Sequence, residues 1–383
     1  MNILKSSKAL VWDVDTDVDE MIWLNRYLLT TMGLWTLEPN ASYSTRMFAV
    51  FRIIIVITIF LCCIISLFTV IYLYWGDLAV LTENGLFALG YSGAVMKISY
   101  LAINQNDFNI AYKFIRKFWY AAKNQEERNE IVKLANYARF YTELFSCAGI
   151  MSAIYFITTA SVVTLYSRAT TNGSDYDRRV PFGHWHEHGL QILPGYKLTF
   201  TLQALSLVFV CSAIVGPDLT VIFIFMHIAG QLRLVSCRLT MMSEKLYTDH
   251  ELSSTFIREW AKDMRACIAH HATVLRAFQF VEPLLGPINF IQFLVAAVEI
   301  CFVGWVIIET DDDPANRMQF IVILIAVIMQ LLIGCWSGEM IMFRSQKHCE
   351  VSAIGLQTMS LKKMSEIFNT ALSYLALLRS IQD

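Results

Sequence analysis

Three histidines alternate through His184-Trp185-His186-Glu187-His188, and in an extended segment their imidazoles would share one face, as a metal ion could use. The spacing is not the helical HExxH of a zinc protease, and the sequence offers neither a fourth ligand nor partners to orient the rings. A loop folded over a pocket is the better reading. His270 and His271 are adjacent, so they point differently around a helix, and packing is their expected role. Asp13, Asp15, Asp17 and Asp19 alternate like a calcium loop, but glycine is missing at the sixth position and Leu24 stands where a bidentate glutamate belongs. That segment is read as solvated or interfacial. Asp218 and Glu339 lie near the ends of apolar runs, where carboxylates are expected to pair with flanking basic helices or shape a polar interior. No nucleophile–base set, phosphate loop or metal-ligand pair is found, so neither an enzyme nor a cofactor is expected.

The elements that must carry these residues are membrane spans. Hydrophobic residues make up 56% of the 383-residue chain and charged residues 16%, the profile of a multi-span protein surrounded by lipid. A net charge of −2, with no basic stripe, excludes a nucleic-acid partner. The nine cysteines show no zinc or redox spacing and avoid the expected outside loops, so they read as small buried hydrophobes. The first residues lack the apolar core of a signal peptide.

Seven stretches are long enough to cross a bilayer: 48–76, 84–104, 138–166, 197–229, 283–309, 318–343 and 351–379. Lys97 interrupts the second and must snorkel or face the bundle interior. Basic residues concentrate in 105–137 and 230–282, such as Lys113, Arg116, Arg233 and Arg238, while the opposite segments hold few. By the positive-inside rule the N-terminus is cytoplasmic and the C-terminus extracellular. The expected fold is an all-α membrane protein of seven transmembrane helices. Residues 1–47 form a cytoplasmic segment, and 48–229 hold spans one to four with an outside loop at 167–196. Cytoplasmic anchor helices follow at 230–282, and 283–383 hold spans five to seven. Asn172-Gly173-Ser174 is a glycosylation sequon in that outside loop. Ile257, Trp260, Met264 and Ile268 recur at helical spacing, giving an amphipathic helix that runs into the fifth span without a clear break. The last stretch carries Ser365, Asn369, Thr370 and Ser373 among apolar residues. It is too polar to meet only lipid, which makes it the span that lines something.

Four blocks carry a family likeness: VPFGHW with LPGYKLTFTLQ, VGPDLTVIFIFMHIAGQLRLV, CIAHHATVLRAFQFVEPLLGP, and RSQK with MSEIFNTALSYLALLR. In this order they resemble the insect odorant receptor family. Neither a DRY triplet nor NPxxY is present, and the orientation opposes a G-protein-coupled receptor. The resemblance implies a tuning subunit of a ligand-gated, non-selective cation channel in the plasma membrane of the olfactory dendrite. It would sit in a tetramer with an obligate co-receptor and take a small volatile odorant. The seventh span would line the pore, with Leu377 and Ile381, four apart on one face, closing it beside Ser380. A pocket for apolar odorants is expected in the outer half of the bundle. Its candidates are Phe87, Tyr91, Tyr155, Phe156, Thr159, Gln203, Leu207, Phe320 and Leu324. Similar proteins carry an extra stretch between the sixth span and RSQK, whereas here Gly338-Glu339 runs almost directly into Arg344-Ser345-Gln346-Lys347. A gustatory-type receptor channel, or a seven-span receptor or transporter without its own pore, stays open as an alternative.

Overall fold

The computed structural model describes residues 18–35, 42–122, 124–171, 176, 178–183, 193–248, 254–309, 314–344, 352–353, 357–358 and 360–382. These are almost wholly helical. Two short helices, α1 (Val18–Met21) and α2 (Trp23–Thr31), precede α3 (Tyr43–Leu73), α4 (Leu78–Ile103) and α5 (Gln105–Trp119). Four longer helices follow: α6 (Gln125–Thr170), α7 (Leu193–Thr248), α8 (Ser254–Glu309) and α9 (Pro314–Arg344). A two-residue ladder, β1 (Ser352–Ala353) with β2 (Gln357–Thr358), pairs antiparallel before α10 (Leu361–Gln382).

Side chains at the helix starts explain several of these boundaries. Ser42 accepts the Thr45 N–H at 3.2 Å, Asp77 accepts those of Ala79 and Val80, and Asn124 accepts that of Glu127 at 2.9 Å. Each satisfies a donor that the first helical turn leaves unpaired. Gly33 makes the turn between α2 and α3 with a φ of 78°, and a Cβ there would lie 2.2 Å from the Ala49 carbonyl oxygen. Only glycine fits.

Among the described residues six helices are long and apolar enough to cross a membrane: α3, α4 and α6 to α9. Along α3, Val56, Phe60 and Leu67 are buried while Phe51, Ile54, Ile65 and Phe68 are exposed. A helix apolar on all sides, half of it facing outward, belongs in lipid. The middle of α7 is enclosed instead, with Phe225, Met226 and Ala229 fully buried, and the other helices pack around it.

Three expectations change. The last helix begins at Leu361 rather than 351, because Ser360 caps it, accepting the Lys363 N–H through its hydroxyl at 3.3 Å and the Met364 N–H through its carbonyl. With Lys362, Lys363, Glu366 and Arg379 in its 22 residues, α10 is not one of the six apolar helices. The second concerns the segment read as solvated or interfacial: from residue 18 to 35 one side of it is packed into the bundle. Met21, Leu28, Leu29, Met32 and Leu34 are buried, and the buried Asn25 hydrogen-bonds Thr220 of α7 and Tyr112 of α5. The third is Glu339, whose carboxylate accepts the Leu361 N–H at 3.3 Å instead of meeting a basic helix. An unpaired donor at a helix start and a carboxylate suit each other electrostatically.

Helices are expected at 230–282, and the ends of α7 and α8 lie there, while 105–137 holds α5 and the start of α6. The amphipathic run at 257–268 is continuous with the fifth apolar run in α8, through Pro283 and Pro287. At this end of the molecule Arg238 of α7 grips Glu127 of α6 with two bonds of 2.9 Å, and Arg233 meets Glu130 at 2.8 Å.

Candidate ligand cavity

Between α4, α6, α7, α8 and α9 lies a cavity of about 790 Å³. Its walls are apolar and aromatic. Phe87 and Tyr91 project from α4, Tyr155 and Phe156 from α6, and Leu207, Cys211 and Ile214 from α7. The 3.6-residue period of each helix puts one turn after another on the same wall. Phe87 meets Phe156 edge-on at 5.8 Å, and the Tyr91 hydroxyl shares a 2.7 Å hydrogen bond with Ser206. Phe182 comes down from the α6–α7 connection onto these rings, 5.0 Å from Phe87 and 5.4 Å from Tyr91. It is buried, and its N–H donates to the Gln203 Oε1 at 3.3 Å. Offset ring pairs of this kind add orientation to the burial they supply.

The floor is polar. Lys97, from α4, donates to Asp218 of α7 at 2.6 Å and to the Gln292 Oε1 of α8. Gln330 of α9 donates to the other Asp218 oxygen, and to Gln292 at 3.3 Å. Four helices therefore meet in one network. Lys97 is 3% exposed and Asp218 13%, so removing either would leave the other charged at membrane depth without its partner. Lys97, Gln292 and Gln330 line the cavity, and so does Glu299, two turns along α8 from Gln292. Gly93 allows α4 and α8 to approach, since a Cβ there would lie 2.9 Å from a Val295 methyl.

One side is open. Trp336 of α9 stacks edge-on against Tyr137 and Tyr141 of α6, at 6.2 and 5.3 Å. Further along the same two helices, Met151 and Tyr155 face Met318, Val322 and Ile325. These residues line the cavity and are also exposed on the outside of the bundle.

Of the residues expected at a pocket, the structure brings Phe87, Tyr91, Tyr155, Phe156 and Leu207 around this cavity. Thr159 is half-buried on α6 outside its lining, and Gln203 instead holds Phe182. Phe320 is wholly buried in a separate apolar cluster with Leu86, Val303 and Val306, against which Leu324 packs. Gln319, Val322 and Ile323 occupy the wall of α9 in their place. Leu377, Ser380 and Ile381 fall within α10, but their side chains lie outside the described residues, as do Asn172 and the three alternating histidines. Sequence reasoning singled out Lys97 and Asp218 without pairing them, and passed over Gln292, Glu299 and Gln330. Polar side chains inside apolar runs were the available signal.

The sequence matches the family model described as 7tm Odorant receptor over residues 77–351. Two solved structures share the fold. One is the insect olfactory receptor OR5 from Machilis hrabei in complex with eugenol, with a TM-score of 0.72, 10% identity and 99% of each chain covered. The other, also of OR5 from Machilis hrabei, has a TM-score of 0.73 and 11% identity, covering 94% of this chain and 98% of that one. No curated protein matches the sequence.

Proposed function

Since the chain belongs to the 7tm odorant receptor family, we propose that it is the odorant-binding subunit of a ligand-gated, non-selective cation channel. The observation that carries this reading is the cavity: about 790 Å³, aromatic-walled and with few polar groups, as small-molecule sites are. A related fold is known with eugenol bound, in OR5 from Machilis hrabei, and a small volatile ligand of comparable size suits these walls. Phe87, Tyr91, Tyr155, Phe156 and Leu207 are its proposed contacts, while Thr159, Gln203, Phe320 and Leu324 would act from behind the wall.

The proposed pore helix is α10, as a seventh span. It buries Ile367 and Ala371 against the bundle and leaves Ser365, Asn369 and Ser373 exposed at four-residue intervals. A polar helical stripe at membrane depth suits a water-filled path shared with other subunits. Leu377 and Ile381, beside Ser380, would close that path by dewetting. Between ligand and pore stands α8. Its Gln292, Val295 and Glu299 face the cavity, while Cys301, on another side of the same turn, donates from Sγ to the Ala371 carbonyl of α10 at 3.2 Å. A ligand that fits one placement of α8 better than another would shift the population of α10 with it.

In this reading the partner is an obligate co-receptor in a tetramer, joined through the ends of α7, α8 and α9 opposite the ligand. The termini lie on opposite sides of the plasma membrane, N-terminus inside, and Asn172 is glycosylated outside. Co-expression with an insect co-receptor in oocytes tests the whole. A cation current evoked by an odorant, absent with co-receptor alone and altered in selectivity or threshold by Leu377→Ala, is expected. Surface arrival without any evoked current across a broad panel would contradict it.

A further inference from the structure

The cavity floor holds two carboxyl groups, Asp218 and Glu299, and one ammonium, Lys97. Lys97 is committed to Asp218 and Gln292, and the second Asp218 oxygen is taken by Gln330. That pair is neutral and well bonded. Glu299 is a second carboxylate on the same cavity, and among the described residues nothing donates a hydrogen bond to it or forms an ion pair with it. It lies within the electrostatic reach of both Lys97 and Asp218. One of its oxygens sits against Gly90, where a Cβ would approach to 3.2 Å. So the space beside this carboxylate exists because α4 has no side chain there. An unpaired carboxylate in apolar surroundings is costly, and the cost is relieved by a cation or a strong donor.

We infer that the cavity takes a small amine, its apolar body among Phe87, Tyr91 and Phe156 and its ammonium on the Glu299 carboxylate beside Gly90. With the ligand in place, two cations and two carboxylates share the floor. An alcohol could donate one bond of this kind but brings no charge to cancel, and a carboxylic acid would add a third anion. Gln292, Val295 and Glu299 stand three, four and seven apart, so they share the face of α8 that lines the cavity. This inference rests on the cavity being the ligand site, as proposed above, but not on the chain being a channel.

The test therefore begins with binding. The full chain is purified into lipid nanodiscs and its thermal unfolding followed with hexylamine, benzylamine and 2-phenylethylamine, each against its alcohol of the same carbon skeleton. Ligands that bind only the folded state raise the midpoint. The amines are expected to raise it and the matched alcohols to do so much less. Glu299→Gln, which keeps the shape, is expected to weaken amine binding at least about thirtyfold, as when one partner of a buried charge pair is lost. Gly90→Ala keeps the charge and moves the carboxylate, and the same direction of change is expected. Oocyte currents on the same panel then separate the two readings. Amine binding without current would leave this inference standing and remove the channel. Odorant currents carried by neutral ligands alone, amines that bind no better than alcohols, or amine binding indifferent to both substitutions would overturn the inference. So would a panel in which no amine stabilises the chain.

Discussion

At the level of single residues, the strongest commitments lie in the floor of the cavity. Lys97 and Asp218 are both withdrawn from water, and a charge left alone there costs far more than the pair contributes. Lys97→Met is expected to destabilise the protein by about 3 to 5 kcal/mol, and Asp218→Asn by a similar amount. Combining Lys97→Met with Asp218→Leu should recover much of the loss. Thermal unfolding of the three variants in one detergent checks this, and additive losses in the double variant would count against the pairing. Gly93 is a second such position. Ala there brings a methyl within 2.9 Å of Val295, so Gly93→Ala should cost about 1 to 3 kcal/mol through overpacking. The same assay reads it.

The elements show how far the sequence reaches. Apolar length located the helices that could cross a membrane, and Lys97 read as a charge that must snorkel or face inward; it faces inward, onto Asp218. Depth in the bundle was harder. The helix α3 is apolar on every side, so hydropathy cannot tell its lipid face from its buried one. For the same reason Phe320 reads like Phe87, although one fills a closed apolar cluster and the other a cavity wall. The start of α10 was legible only as a composition, since apolar residues continue upstream of it; the Ser360 cap and the Glu339 carboxylate set the boundary. Ser360→Ala should loosen that first turn by about 1 kcal/mol. Faster amide exchange confined to residues 361–365 is the expected sign, and exchange unchanged there would show that the cap is dispensable.

Taken whole, the molecule is a bundle tied at one end and open on one flank. At the tied end Arg238 and Glu127 clasp α7 to α6, while Trp336 packs on Tyr137 and Tyr141. The flank between Met151 and Val322 is parted, and both are exposed apolar side chains of helices long and apolar enough to cross a membrane. In the proposed role the ligands dissolve in hydrocarbon, so a bilayer beside this flank would hold them in reserve. How fast the site fills would then be governed by the concentration dissolved in the membrane, which is the concentration in water multiplied by a partition coefficient. Across a series of ligands lengthened one methylene at a time, half-maximal doses measured in water should fall by about fourfold per step on partitioning alone, the worth of one buried CH₂. Washout should slow in parallel, since the membrane empties more slowly than the bath. Met151→Trp, by narrowing the flank, should delay the onset of the response more than it changes the final dose dependence. Onset and washout that are both independent of chain length would mean that the site fills from the water side.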